Sequence, residues 1–132
     1  MITIMLQLLQ EYYERVFPLS IIVVTLCFIL FDVITGLLKA IKCNKLNSTL
    51  LRQGLLHKLS EVLCVVGAFA APYGLQHLQV DFKLPLLECV GVYICLMEII
   101  SAIENLCEVN PKLNKLFAPY LEKLKKKDDK DE

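Results

Sequence analysis

The sequence predicts an all-α integral membrane protein with three transmembrane helices, and its hydropathy, apolar runs and charge placement support this. Of its 132 residues 56% are hydrophobic, and the mean hydropathy is +0.56, whereas soluble domains contain roughly 45–50% apolar residues. A small domain buries only about two-thirds of its surface, so a soluble fold of this composition would leave apolar surface in water. The net charge is zero, but the charged residues are clustered between and after the apolar runs.

The segment before the first apolar run has a helical pattern of its own. Apolar residues recur in residues 1–16 at helical spacing, with glutamine and glutamate between them. We expect an N-terminal amphipathic helix lying in the membrane interface, and the alternative is a helix that continues unbroken past Pro18. The sequence lacks the basic start and the small-residue cleavage site that are typical of a signal peptide. We therefore expect the first apolar run to be retained in the protein.

Three apolar runs are long enough to cross the membrane. About 20 residues span a bilayer core. The first run carries only Asp32 and Lys39 as charges, and the second carries none. The predicted spans cover about residues 17–41, 62–80 and 84–103.

A basic loop between the first two spans sets the expected orientation. Residues 39–58 contain five basic residues and no acid, which places this loop in the cytoplasm. The N-terminus then lies outside and the C-terminus inside. We divide the chain into a transmembrane domain, 1–110, and a charged cytoplasmic tail, 111–132, expected to be solvated and partly disordered. Because Asn47 and Ser48 are good helix N-caps, we expect a turn at residues 45–48 and a helix from about Thr49.

Small and polar residues form a stripe on each predicted span. Such stripes let membrane helices approach closely. Their members recur every three or four residues: Asp32, Gly36 and Ala40 on the first span; Ser60, Cys64, Gly67, Ala71 and Gly74 on the second; Glu88, Gly91, Cys95, Glu98, Ala102 and Asn105 on the third.

The two stripes on the later spans have different interpretations. For the second span, packing within one chain is the favoured interpretation. For the third span, Glu88 and Glu98 have no basic residue near mid-depth in the predicted spans, and an unpaired acid there costs several kcal/mol. We therefore expect this face to meet another copy or to line water, with packing inside one chain as the alternative.

Enzymatic, metal-binding and nucleic-acid-binding functions find no support in the motifs. The chain contains none of the usual hydrolase, P-loop or metalloprotease motifs. Four of its six cysteines lie in apolar runs and none has metal-site spacing, so we expect no metal and no cofactor. Lys125 to Lys127 are followed directly by Asp128 and Asp129, which argues against nucleic-acid binding.

Two blocks of sequence resemble the phage holin superfamily that includes the toxin-secretion holins. The first block, within residues 31–59, has an aspartate and a glycine near the end of the first span, then Lys-Ala-x-Lys, a basic residue before Asn-Ser, and a glycine and a basic residue entering the second span. The second block, residues 97–106, is similar to the Glu-x-x-Ser-x-x-Glu-Asn segment of that family. The matching residues are Asp32, Gly36, Lys39, Ala40, Lys42, Lys45, Asn47, Ser48, Gly54, Lys58, Glu98, Ser101, Glu104 and Asn105.

The resemblance implies a function without catalysis. Holins of this kind form homo-oligomers in the bacterial cytoplasmic membrane and open lesions that release a cell-wall hydrolase (an endolysin, without required direct contact) or a toxin. The implied partners are the lipid bilayer, further copies of the chain and an antiholin. Three alternatives stay open: an antiholin of the same fold, a small oligomeric transporter subunit that uses Asp32, Glu88 and Glu98 as a proton or cation path, and a plain membrane scaffold.

Overall fold

The part of the chain that the structure describes folds into four α-helices. The computed structural model describes residues 2–79 and 84–128, and the helices are α1 (Ile2–Lys42), α2 (Ser48–His77), α3 (Leu86–Val109) and α4 (Pro111–Asp128). The first three are long and apolar enough to cross a membrane, which confirms the predicted all-α membrane fold. The last residue of the predicted second span, residue 80, the segment 81–83 that connects it to the third span, and the tail end at 129–132 lie outside the described residues.

The predicted separate N-terminal helix is wrong, because α1 continues through Pro18. A proline removes one backbone hydrogen bond, and the hydroxyl of Ser20 donates to the carbonyl of Phe17 beside it at 2.7 Å. Helix-forming residues on both sides then keep α1 continuous over 41 residues. A helix of that length reaches about 60 Å, twice the thickness of a bilayer core. The alternative expectation, a first span extended by the N-terminal segment, is the observed one.

The connection between α1 and α2 is closed by two helix caps. Asn44 has a positive φ of 50°, and the amides of Asn44 and Lys45 donate to the carbonyls of Ile41 and Ala40 at 3.2 and 3.0 Å. This is the Schellman pattern, in which asparagine accepts the left-handed position. Asn47 then caps α2 by accepting from the Thr49 amide at 2.9 Å. The cap and the helix start agree with the sequence prediction to within one residue, while the turn lies earlier than expected.

The tail is helical rather than disordered over residues 111–128, which corrects the expectation for this part. Asn110 ends α3 in an extended conformation because the following proline disfavours the helical conformation before it. Pro111 then occupies the first position of α4, where a proline is well tolerated. The side chain of Asn110 accepts from the Lys112 amide at 3.0 Å and thereby caps the new helix.

The bundle carries its polar residues inside and its apolar residues outside. Helix α1 packs mainly on α3, and α2 contacts α3 more than α1. The small apolar core consists of Ile29, Val65, Ala68, Leu87 and Ile94. Large apolar side chains point outward on each spanning helix, including Leu30, Leu63 and Val92, whereas Thr25, Asp32, Thr35 and Glu98 are buried. This distribution suits a lipid environment, where charged groups face the bundle interior.

Candidate functional site: a buried polar cluster between the spanning helices

Three charged residues lie at one depth of the bundle. Asp32 is ten residues before the end of α1, Lys58 is ten residues after the start of α2, and Glu98 is eleven residues before the end of α3. At 1.5 Å per residue, each lies about 15 Å from its helix end. These ends belong together, because Lys39 near the end of α1 pairs with Glu108 near the end of α3 at 2.7 Å.

Lys58 is the centre of this cluster, because its ammonium group contacts all three spanning helices. Its Nζ lies 2.6 and 2.5 Å from the two carboxylate oxygens of Glu98. It also lies 2.9 Å from Oδ2 of Asp32. The side chains of Asp32 and Glu98 are only 8% and 1% exposed. One cation from α2 therefore joins two buried carboxylates on α1 and α3.

Further polar side chains complete the cluster. Asn105 donates to Oδ1 of Asp32 at 3.1 Å and to the hydroxyl of Thr35 at 3.5 Å. Glu61, one turn after Lys58, lies 3.5 Å from its Nζ. We call Asp32, Lys58, Glu61, Glu98 and Asn105 the Lys58 cluster. It holds three carboxylates against one ammonium group, so its charge is negative when all four are ionised.

The expectation that Glu98 lacks a basic partner is wrong. The sequence prediction counted Lys58 with the loop, but α2 begins at Ser48, so Lys58 is already almost three turns inside the helix. The long lysine stem then carries the charge to the bundle interior, as such stems often carry charges away from their Cα position. Pairing with Lys58 offsets part of the cost that the prediction assigned to Glu98.

The α3 stripe is covered inside the chain. Ala102 is 1% exposed. A Cβ atom at Gly91 would lie 2.8 Å from a methyl of Ile21 and 3.2 Å from the hydroxyl of Thr25. Cys95 contacts the same hydroxyl at 3.7 Å. The middle of this stripe therefore packs on α1.

The α2 stripe is open instead. A Cβ atom at Gly67 or Gly74 would meet no atom within 4 Å, and Cys64 is exposed. The α3 stripe packs internally, and most of the α2 stripe faces outward.

The remaining sequence candidates divide between the loop end and other positions. A groove at the loop end brings Gly36, Lys39, Ala40, Lys45 and Asn47 beside Asn105 and Glu108, and Lys42 donates to the carbonyl of Val109. Ser48 and Gly54 are exposed, while Ser101 and Glu104 are half-buried on α3.

Glu88 is not part of the Lys58 cluster. It lies in the first turn of α3, ten residues or about 15 Å from Glu98, beside Pro18 and Pro72 of the neighbouring helices. The structure therefore does not bring Asp32, Glu88 and Glu98 together as one path within the chain.

Sequence reasoning missed Glu61, Thr25 and Thr35 as site residues. A signal was present on α1, because Thr25, Asp32 and Thr35 are separated by seven and three residues and thus share one helix face. Glu61 follows Lys58 by three residues, a spacing at which helix neighbours interact. His57 adds to this group, since its Nε2 lies 3.2 Å from Glu61.

The Lys58 cluster joins the three spanning helices through its ion pairs and hydrogen bonds. No group of three or more histidine, cysteine, aspartate or glutamate residues in the described part of the chain has a metal-binding arrangement. Its chemical effect is to pair charges that would otherwise be exposed to lipid. Breaking the pairs would present a polar surface on three helices.

Comparison with known proteins places the chain in a family. The sequence model of the bacteriophage holin family matches residues 18–126, which include α1 from Pro18 onward, all of α2 and α3, and most of α4. No curated protein and no solved structure matches the chain. This family consists of non-enzymatic, pore-forming membrane proteins. With most of its length matched and three helices able to span a membrane, the chain belongs to the bacteriophage holin family.

Proposed function

We propose that the chain is a hole-forming holin of the bacterial cytoplasmic membrane. Copies accumulate, associate and open lesions through which a cytoplasmic cell-wall hydrolase, or a toxin, escapes. The observation that carries this proposal is the Lys58 cluster, a charged surface hidden at the centre of a bundle whose outside is apolar. Such a bundle can reside in lipid as a closed unit and can supply a polar lining when it opens.

Opening of the cluster to water has a physical basis in its charge. Glu61 and Glu98 both face Lys58, and a single ammonium group neutralises only one of the three acids. Water solvates the remaining carboxylates far better than a bilayer interior does. The contacts of Lys58 thus hold the closed chain together, and its unneutralised carboxylates are stabilised by water once the helices separate.

Self-association begins, in this proposal, at the open face of α2. The outward small residues Cys64, Gly67 and Gly74 permit close approach of a second helix, and the closed chain leaves them uncovered. The α3 face around Ala102 becomes available only after the bundle opens. The contact between α3 and another copy, which the sequence led us to expect, is thus a later step of the same process.

In the proposed orientation, the loop between α1 and α2 lies on the cytoplasmic side of the membrane, as does α4. The ion pair between Lys39 and Glu108 supports a shared side for these segments, and their lysines support the cytoplasmic side.

Crosslinking of single cysteines tests the proposal in a full-length chain with its native cysteines replaced. Gly67→Cys and Val66→Cys are matched positions, because both are exposed and adjacent on α2 but about 100° apart around the helix. We expect intersubunit crosslinks at residue 67 to exceed those at residue 66 before lysis. Ala102→Cys should crosslink only in membranes that have lost their potential.

Release of a hydrolase tests the function itself. Induced expression with a cytoplasmic cell-wall hydrolase should give abrupt loss of membrane potential followed by lysis. Persistent potential with an inserted protein would contradict hole formation and favour an antiholin. Equal crosslinking at residues 66 and 67 would contradict the α2 contact, and lysis without any crosslink at residue 102 would contradict the α3 lining.

A further inference from the structure

Helix α4 has an apolar face and a cationic face. Its overall composition is polar, and it is not among the helices apolar enough to span a membrane. Apolar residues recur along it at spacings of three and one, and lysines lie outside this stripe. The apolar residues are Leu113, Leu116, Phe117, Tyr120 and Leu121; the lysines with described side chains are Lys112, Lys115 and Lys123. This pattern is typical of a helix that lies in the membrane interface.

Part of the apolar face is left uncovered by the rest of the chain. Helix α4 contacts α3, and Leu113, Phe117 and Leu121 are half-buried. Leu116 and Tyr120, however, are 60% and 65% exposed. Lys112 and Lys123 precede and follow Leu116 by four and seven residues, so they share its side of the helix. The uncovered edge of α4 therefore combines apolar and cationic groups.

The position of this edge identifies what it meets. A single residue, Asn110, separates α4 from α3, so the start of α4 stays at the membrane surface. Lys45 and Arg52 are also exposed at this end of the bundle. We propose that α4 lies in the headgroup layer, with Leu116 and Tyr120 inserted and the two lysines beside them, Lys112 and Lys123, bound to anionic phospholipids.

A lipid surface fits this edge better than a second protein does. A stable protein interface buries about 1,200–2,000 Å² in total, more than two exposed apolar side chains supply. Partial insertion beside lysines needs no such area, and tyrosine favours the headgroup level. Each lysine near an anionic surface favours the bound state by about fivefold, the equivalent of about 1 kcal/mol.

The test uses the full-length chain in vesicles and measures lipid contact rather than lysis. A single cysteine replaces Tyr120 or, as the control, Glu122, which is exposed on another face of α4; each carries a polarity-sensitive fluorophore. The vesicles contain phosphatidylcholine alone or with added phosphatidylglycerol, and nitroxide lipids serve as quenchers. With phosphatidylglycerol, we expect blue-shifted, quenched emission at residue 120 and neither effect at residue 122.

Charge removal identifies the headgroup contribution. Lys112→Gln and Lys123→Gln should each reduce the ratio of quenched to unquenched fluorophore at residue 120 by about fivefold. Identical quenching in both vesicle types would overturn the anionic-lipid proposal. A blue shift without quenching by lipid would also overturn it, because a protein surface would then cover Leu116 and Tyr120. Either result leaves hole formation untouched, since no lesion is measured.

Discussion

Replacement of Lys58 by methionine tests whether the Lys58 cluster holds the bundle closed. The substitution keeps an unbranched side chain of similar length and removes the ammonium group that contacts Asp32 and Glu98. Both acids are almost fully buried, so they lose their counterion without gaining water. We expect the closed bundle to be destabilised and to open more often.

The expected magnitude follows from the burial of these groups. Removing one partner of a buried ion pair costs about 3–5 kcal/mol. Uptake of a proton by an orphaned acid limits this loss, so we expect the lower end of the range. Since about 1.4 kcal/mol corresponds to a factor of ten, the open fraction should rise by about a hundredfold.

Thiol labelling measures this opening in purified full-length protein. Cys107 is 6% exposed near the end of α3, so a variant that retains only this cysteine reacts slowly while the bundle is closed. Its labelling rate then reports the open fraction. Arg52→Met is the matched control, because Arg52 is an exposed cation on the same helix and its loss changes the net charge equally.

Two outcomes decide the matter. Equal labelling rates in Lys58→Met and Arg52→Met would refute the stabilising role of the cluster. Adding Asp32→Asn and Glu98→Gln to Lys58→Met should restore slow labelling, because neither buried group then carries a charge. The amide introduced at position 32 also keeps an oxygen that can accept from Asn105. Failure of this combination to restore slow labelling would show that the lysine stem, not its charge, holds the helices.

Two further predictions concern packing and orientation. Gly91→Ala should raise the Cys107 labelling rate by about fivefold to a hundredfold, the equivalent of about 1–3 kcal/mol of overpacking against α1. Gly67→Ala should leave the rate unchanged, because the added methyl group meets no atom within 4 Å. Equal effects of the two substitutions would contradict the described packing. A thiol reagent that does not cross membranes should fail to label the exposed Cys43 from outside intact cells, and efficient labelling would overturn the proposed orientation.

The spanning helices could be predicted because their signal is local. A run of about 20 apolar residues is sufficient to identify a span, and the N-cap at Asn47 is a short-range hydrogen bond. The ends of the helices were harder to predict. Pro18 looked like a boundary, yet α1 continues through it, because the loss of one hydrogen bond does not outweigh a long helix on both sides.

Helix α4 was missed although its signals were present. Asn110 followed by Pro111 is a typical helix start, and the apolar stripe from Leu113 to Leu121 follows at helical spacing. The prediction weighed the charges of the tail instead of its periodicity. Charge alone does not separate a disordered tail from an amphipathic helix, since both are rich in lysine.

The Lys58 cluster was only partly predictable, because its contacts between helices join residues 26 to 73 positions apart. The sequence identified Asp32, Lys58, Glu98 and Asn105 separately. It did not show that α2, which runs in the direction opposite to α1 and α3, brings Lys58 to the depth of Asp32 and Glu98. Pairing of that kind depends on helix register across the bundle, which hydropathy does not encode.

Under the proposed function, the strength of the cluster sets when lesions open. If the cluster stabilises the closed chain by about 3 kcal/mol, the open form is roughly a hundredfold rarer than it would be without Lys58. Contacts that form only between open chains must supply this free energy, and the number of such contacts increases with the number of copies in the membrane. The closed form therefore accumulates harmlessly while copies are few. Beyond a threshold density, each opened α3 face gains a partner, and opening becomes self-reinforcing.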